Sequence, residues 1–340
     1  MKNAFRMGFV LWLSVVRMSL TAEDTLELHR IRGESPSGAV LDFGERDAFD
    51  ATWVSCPSVV RVGEWYWMYY SAFFDRASGA GGIGLAKSKD GVTWRRANRG
   101  EPVLTPGRAG AQDAGQVMGP HVLRDNDRFH MWYTGMDDRP TNKRIQVYRI
   151  FHAVSDDGIS WQRTRDGNAV LDVGPADSPD AVQAATPVVL RDLEGAGYVM
   201  WYAAWAESTG HTICVARSDD GIRWTRWNNG RPVTGLRPEA YGMSVCRIGE
   251  RYVMMYQVLK ATRGLYAAIS SDGVNWTALR ERDPVLEPVA DQKAFDSYIL
   301  GHPDVHYEDG RLRVWYTGFT YHPSTGLRPR IGLAAGKWNP

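Results

Sequence analysis

Ser88-Lys89-Asp90-Gly91-Val92-Thr93-Trp94 returns three more times, as Ser155-Asp156-Asp157-Gly158-Ile159-Ser160-Trp161, Ser218-Asp219-Asp220-Gly221-Ile222-Arg223-Trp224 and Ser270-Ser271-Asp272-Gly273-Val274-Asn275-Trp276. The closing Trp residues stand 67, 63 and 52 residues apart, and a worn copy, Gly336-Lys337-Trp338, follows 62 residues later. Self-similarity at a near-constant period sets the architecture, so it is read before any local signal. Asp-Gly between two apolar, β-rich runs marks a tight hairpin, because glycine takes a positive φ without steric cost. The Trp that follows lies on the next strand, where it can pack between neighbouring sheets. The motif is a fold signature and carries no chemistry by itself.

Working outward, each repeat contains short strands separated by polar turns. In the second they are Val117–Leu123, Arg128–Tyr133, Ile150–Val154 and the segment opening at Trp161. Short strands at regular spacing predict an all-β fold, and four strands per repeat is the pattern of a propeller blade. Pro57, Pro120, Pro187 and Pro303 open the first strand of four blades, with Ser244 in that place in another. Tyr70, Tyr133, Tyr202, Tyr256 and Tyr316 mark the second strands, so the count is five blades. The segment Leu26–Ile31 precedes Val40-Leu41-Asp42-Phe43-Gly44, which parallels Val170-Leu171-Asp172-Val173-Gly174 after the fourth strand of blade 2. Residues about 25–32 are therefore expected to complete blade 5, closing the ring and removing an open edge. Residues 23–340 then form a single domain, with 1–22 as an N-terminal extension. Within that extension Lys2 and Arg6 precede the apolar run Gly8–Val16, which resembles a signal peptide but is too short to span a bilayer. Arg17 follows at once and Leu20-Thr21-Ala22 is a poor cleavage site. A cytoplasmic location is expected, with secretion as the alternative.

Forty Lys and Arg against 39 Asp and Glu give a net charge of +1, so no global field favours nucleic acid or a membrane surface. Fourteen Trp and 15 Tyr suit a β core and also sugar stacking. Cys56, Cys214 and Cys246 have no metal-ligand spacing and leave one over, so no disulfide framework is indicated. Long, unequal loops follow the second strands at 73–81, 136–144 and 320–330. Function concentrates on variable loops carried by a regular scaffold, which places the pocket on the axis at the face where the first strands begin.

The Pro-x-Val openings, the Met-Trp-Tyr second strands and the Ser-x-Asp-Gly-x-x-Trp hairpins together resemble the five-bladed propeller superfamily of glycoside hydrolase families 43, 32 and 130, with its sucrase and arabinanase relatives. The resemblance covers residues about 25–340 and implies a carbohydrate-active enzyme, a glycosidase-like hydrolase working on a small-molecule or oligosaccharide substrate. It also implies an Asp just before the blade-1 Pro, an Asp just after the blade-2 Pro and a Glu two before the blade-3 Pro. Those places hold Cys56, His121 and Ala185. Glycoside hydrolysis ordinarily uses two carboxyl groups flanking the bond, so the family's catalytic residues do not carry over. A non-hydrolytic propeller is the alternative: a sugar-binding protein, or a lyase, isomerase or cyclase using a His/Asp pair.

Other acids are available. Asp50, Asp113, Asp180 and Asp296 each lie seven residues before their Pro, and Glu239 sits in the corresponding loop of blade 4. A ring of acids around an axis would supply an acid and a base, or hold a cation through oxygen ligands; no other cofactor is expected. The competing account is that a residue recurring in every blade caps a loop amide in every blade. His121, His302 and Asp304 break the repeat and are candidates for proton transfer near neutral pH, against the alternative of buried, hydrogen-bonded structural groups. Trp53, Gln116 and Tyr241 are candidates for stacking and hydrogen bonding to substrate, or for packing between blades. Cys56 becomes a nucleophile only if its thiol is activated, and nothing near it in sequence does so. Arg76, Arg139, Lys143, Arg144, Arg328 and Arg330 fall on the pocket-face loops and would suit a uronate or a sulfated sugar, or form a solvated surface.

Overall fold

The computed structural model describes residues 25–75, 80–138, 146–192, 197–260 and 263–339. The molecule is all-β. Two short N-terminal strands, β1 (Thr25–Leu26) and β2 (His29–Ile31), are followed by a four-stranded sheet of β3 (Trp53–Val62), β4 (Trp65–Asp75), β5 (Ala80–Ser88) and β6 (Arg95–Arg96). Next come β7 (Gln116–Asp125), β8 (Arg128–Met136), β9 (Tyr148–Ser155) and β10 (Gln162–Arg163), then β11 (Gln183–Arg191), β12 (Tyr198–Ala206), β13 (Gly210–Ser218) and β14 (Thr225–Arg226). A single parallel pairing, Gln183 with Tyr148, joins these two antiparallel sets into one eight-stranded sheet. A four-stranded sheet of β15 (Ala240–Ile248), β16 (Arg251–Val258), β17 (Leu265–Ser270) and β18 (Thr277–Ala278) follows. The last sheet holds β19 (Ile299–Glu308), β20 (Arg311–His322) and β21 (Gly326–Asn339), with β1 and β2 both paired antiparallel to β21.

The second strands are largely buried, because they pack against neighbouring sheets. Met68 and Tyr70 of β4 share a core with Trp315 of β20 and Leu333 of β21, and Trp201 of β12 shares one with Met254 of β16. This is why β8 and β12 read as nearly continuous apolar runs rather than alternating ones.

The repeated hairpin explains itself at atomic level. The Asp90 carboxylate accepts from the Val92 and Thr93 N–H groups at 2.8 Å, and Ser88 Oγ accepts from Gly91 N–H at 2.8 Å. Gly91, Gly158, Gly221 and Gly273 take φ of 74°, 70°, 74° and 75°. Their carbonyls then accept from the neighbouring antiparallel set: Trp315 Nε1 to Gly91 O at 2.9 Å, Trp132 to Gly221 and Trp201 to Gly273 at 2.8 Å, and Tyr69 Oη to Gly158 at 2.8 Å. A Cβ on Gly221 or Gly273 would stand 2.9 or 2.8 Å from the Trp ring that reads its carbonyl. Glycine is needed twice over, for φ and for this close approach.

Each first strand carries a β-bulge, seen as a break in register at Ser55/Ser58, Met118/His121, Ala185/Val188, Tyr241/Ser244 and Gly301/Asp304. The register corrects one expectation. Met243, not Ser244, occupies the proline's place, so Ser244 aligns with Ser58, His121, Val188 and Asp304. The bulged residue has a positive φ in every case: Cys56 50°, Gly119 54°, Thr186 45°, Gly242 47° and His302 42°. Two are glycines and pay nothing. Holding Cys56, Thr186 and His302 there costs about 1–2 kcal/mol each, which points to side chains retained for another purpose.

Candidate active site

Four of the five bulges meet around a cavity of about 210 Å3. Trp53, Ser55 and Cys56 enter from β3, Gln116, Met118 and Gly119 from β7, Gln183, Ala185 and Thr186 from β11, Tyr241 from β15 and His302 from β19. Second strands contribute Ser71 and Phe73, Thr134 and Phe319, and Tyr148 comes from β9. Trp53 lies 6.1 Å from both Phe73 and Phe319 and forms an apolar wall. Among the described residues the rest of the lining includes two amides, several hydroxyls, one thiol and one imidazole. No carboxylate, Arg or Lys lines the space among the described residues.

The backbone here is held by side chains from the adjacent antiparallel set. The bulge N–H of Cys56 donates to Thr317 Oγ1 at 2.9 Å, that of Gly119 to Ser71 Oγ at 2.7 Å, that of Thr186 to Thr134 Oγ1 at 2.7 Å, and that of His302 to Gln257 Oε1 at 3.0 Å. All four acceptors directly follow the marker tyrosine of a second strand. The equivalent residue after Tyr202 is Ala203, which has no acceptor to offer Gly242; there Gln183 Nε2 donates to Tyr241 Oη at 3.3 Å instead.

Cys56 and His302 border the same cavity. Burial pushes the Cys56 thiol up, but the charge and hydrogen bond of His302, with help from Ser55 and Ser71, outweigh it and leave the thiol below its ordinary value. For His302 burial works downward, and the Cys56 sulfur more than compensates, so the imidazole holds its proton more tightly than usual. Tyr241 packs edge-on against His302, with ring centroids 5.6 Å apart. Burial pushes its phenol far up, so Tyr241 stays protonated.

Of the expected site residues, the structure brings Trp53, Gln116, Tyr241 and His302 to the cavity. His121 and Asp304 instead border a second, smaller space of about 30 Å3 that Cys56, Thr186, Ser244 and His302 also line. They do not form a pair. His121 bonds the Val189 carbonyl at 2.9 Å, and burial lowers its proton affinity despite Asp304 nearby. Asp304 is buried, accepts from Val59 N–H at 2.7 Å and binds His306 Nε2 at 3.0 Å. It ties β19 to β3 and raises the proton affinity of His306 against the cost of burial.

The expected ring of catalytic acids is placed elsewhere. Asp50, Asp113, Asp180 and Asp296 are buried and outside the cavity lining. Each carboxylate accepts from a marker tyrosine: Tyr70 at 2.8 Å, Tyr133 at 2.8 Å, Tyr202 at 3.0 Å and Tyr316 at 2.8 Å. Each also accepts from an Arg Nε on an outer strand: Arg96 at 2.6 Å, Arg163 at 2.8 Å, Arg226 at 2.8 Å and Arg30 at 2.6 Å. These are scaffold clamps, and the recurrence of the acid reflects a need that recurs. Because the clamps are separate, they also leave the axial cation without its ring of ligands; among the described residues no group of three or more His, Cys, Asp or Glu could hold a metal ion. Glu239 is not a fifth member. Leu236 takes the aspartate's place seven residues before Met243, and the buried Tyr256 Oη has no hydrogen-bond partner among the described residues. Glu239 instead accepts from Lys260 at 2.7 Å and His211 N–H at 3.3 Å, and the Lys260 bond holds its carboxyl below the usual range.

Arg144, like Arg76, Arg139 and Lys143, lies outside the described residues. Arg328 stacks on Phe43, its guanidinium 4.6 Å from the ring centroid, and Arg330 pairs with Asp42 at 2.6 Å; neither lines the cavity. Sequence reasoning gave Cys56 no activating partner and missed Ser55, Ser71, Gln183 and Thr186. The available signal was the set of residues preceding each Pro, where Cys56, Thr186 and His302 stand against Gly119.

Comparison with known proteins places this architecture. Residues 53–234 match the family described as glycosyl hydrolases family 32 N-terminal domain. The chain belongs to that family. It is 27% identical to the uncharacterized protein MT1551 of Mycobacterium tuberculosis (strain CDC 1551 / Oshkosh) over 229 residues, covering 65% of this chain and 73% of the relative. Among solved structures it is similar to the RGII complex of BT0996, at 20% identity and a TM-score of 0.69 over 90% of this chain and 92% of that one. An N-acetylgalactosamine deacetylase from F. plautii, in complex with blood group B trisaccharide, matches at 18% identity and a TM-score of 0.66, covering 92% of this chain and 95% of that one. Glycoside hydrolases of families 43, 117, 130 and 32 are similar as well. The fold is thus that of the glycosidase-like propellers.

Proposed function

We propose that this family member is a carbohydrate-active protein that takes one neutral sugar residue into the axial cavity of a five-bladed propeller. The ring reading is supported by the links that run from sheet to sheet at the bulges, and by β1 and β2 lying on β21, where Arg30 does for Asp296 what outer-strand arginines do for the other aspartates. The observation that carries the ligand class is the lining: an aromatic wall from Trp53, Phe73 and Phe319 in one cavity with the Gln116 and Gln183 amides. Apolar ring faces meet the C–H faces of a sugar, while amides and hydroxyls meet its hydroxyls. At about 210 Å3 the space suits one ring rather than a chain, below the roughly 300–1,000 Å3 of sites for larger ligands. Structural neighbours solved with RGII and with blood group B trisaccharide agree with this ligand class. Without Arg or Lys among the described lining residues, a neutral sugar fits better than a uronate.

Two-carboxylate hydrolysis finds no support in the cavity, since the reactive side chains among its described residues are a thiol and an imidazole. The test is a titration of neutral mono- and oligosaccharides followed by intrinsic Trp fluorescence and calorimetry, with a parallel screen of aryl glycosides. Saturable binding that Trp53→Ala and Gln183→Ala weaken about tenfold or more is expected, as for loss of a stacked or hydrogen-bonded anchor. Absence of binding by every neutral saccharide, or aryl glycoside turnover abolished by Asp113→Asn in a folded protein, would refute the reading.

A further inference from the structure

We propose that Cys56 and His302 form a nucleophile–base pair that removes an acyl group from a sugar held in the cavity. The inference rests on the sugar-site reading above. It begins from the backbone. Cys56 and His302 occupy left-handed bulge positions, at φ 50° and 42°, that Gly119 and Gly242 fill without strain. Two unrelated sheets each retain a strained, reactive side chain, and both side chains border the same space.

The surroundings of the sulfur favour a thiolate. Ser55 Oγ already accepts from Trp53 Nε1 at 2.7 Å, and Ser71 Oγ already accepts from Gly119 N–H at 2.7 Å. Each hydroxyl therefore has its own proton to give, and both line the same space as Cys56 and His302. Donors around a sulfur match a thiolate, which only accepts, better than a thiol, which brings a proton of its own. The opposed shifts of Cys56 and His302 agree with this charge arrangement.

The placing of thiol and imidazole on one space decides the reaction class. In a displacement at a sugar's anomeric carbon, nucleophile and leaving oxygen lie on opposite sides, so the proton donor must stand across the cavity, as in paired-carboxylate enzymes. No described lining residue supplies one: the other titratable groups there are Tyr148 and Tyr241. In acyl transfer the leaving group departs from the carbon that the nucleophile has just attacked, within reach of a base adjacent to that nucleophile. The Cys56 sulfur adds to the acyl carbonyl, and the resulting oxyanion collapses with loss of the sugar oxygen. That oxygen takes the proton from His302. Water, deprotonated by His302, then cleaves the thioester, releasing the carboxylic acid and returning the thiol. Thr186 Oγ1, buried at the cavity and without a partner among the described residues, is available to donate to the oxyanion.

The experiment offers wild type p-nitrophenyl acetate and peracetylated methyl xyloside, follows acetate release, and maps adducts by mass spectrometry after rapid acid quench. Saccharide binding is measured separately. An acetyl adduct on Cys56, with release lowered about a thousandfold or more in Cys56→Ser and His302→Gln, is expected. If Cys56→Ser does not fold, the wild-type adduct map decides alone. An unmodified Cys56 with turnover unchanged in Cys56→Ser overturns the acyl step, and a glycosyl adduct from an aryl glycoside overturns it in favour of displacement. Saccharide binding without any acyl adduct removes this inference and leaves the sugar site standing. An acetyl adduct without saccharide binding keeps the pair and removes the sugar.

Discussion

Asp113→Ala separates scaffold from chemistry. The Asp113 carboxylate is fully buried and accepts from Tyr133 Oη and Arg163 Nε, both at 2.8 Å. Removing it strands a phenol and a guanidinium. Loss of one partner from a buried pair costs about 3–5 kcal/mol. The Arg163 side chain is 25% exposed, so water recovers part of its solvation and the low end of that range applies. Replacing both charged partners, as Asp113→Leu with Arg163→Met, removes the stranded charge and is expected to cost about 1–2 kcal/mol less than the single change. The sheet of β15–β18 already lives with such a state, having Leu236 in the aspartate's place and Tyr256 Oη unpaired among the described residues. The assay is equilibrium urea unfolding of wild type, both single variants and the double variant, with saccharide binding measured on each while folded. A stability change under about 0.5 kcal/mol, the size of a neutral surface substitution, combined with loss of ligand binding or turnover, would refute the clamp and return Asp113 to the site.

Gly301→Ala would place a Cβ 1.8 Å from Gln257 Oε1, the acceptor that holds the His302 N–H. An overpacking cost of about 1–3 kcal/mol and weaker saccharide binding are expected by thermal melt and calorimetry; an unchanged melt and affinity would show that Gln257 is not needed to position His302. Burial holds the His152 imidazole down to about 3, so it is neutral in the fold while an unfolded histidine titrates near 6.5. The unfolded chain then takes the extra proton, and stability complete above about pH 6.5 is lost as pH falls toward 3, at up to about 1.4 kcal/mol per unit. Urea unfolding from pH 7 to 4 is expected to show a shallower acid loss in His152→Gln, and identical slopes would contradict the assignment. Gly221→Ala combines a forced φ of 74° with a Cβ 2.9 Å from Trp132, and is expected to cost more than the roughly 1 kcal/mol of a left-handed alanine alone. A urea midpoint shift no larger than that would show that the Trp132 contact adds nothing.

The hairpin motif made the fold readable because Asp, Gly and Trp each do a local job that can be inferred from residue type: the carboxylate caps two amides, the glycine turns, the ring packs. The fourth repeat was misaligned by one residue for want of a proline, and only the bulge in β15 shows that Met243 holds that place. The recurring aspartates were legible as a set but not in purpose, since their partners Arg96, Arg163, Arg226 and Arg30 lie on outer strands too short to stand out. The pairing of Cys56 with His302 could not be read at all. It depends on two bulges from the first and last sheets turning their side chains to a common space, and no local sequence pattern encodes that meeting.

Alkylation of Cys56 by iodoacetamide, with and without saccharide, tests most directly whether the hub of the molecule is where sugar goes. Cys214 and Cys246 are buried, and burial pushes both thiols up to about 12, so they serve as unreactive references. A neutral sugar that binds this protein should shield Cys56 in a saturable way, with half-protection at its measured Kd. Unchanged alkylation of Cys56 at full saccharide saturation would mean that the ligand sits elsewhere.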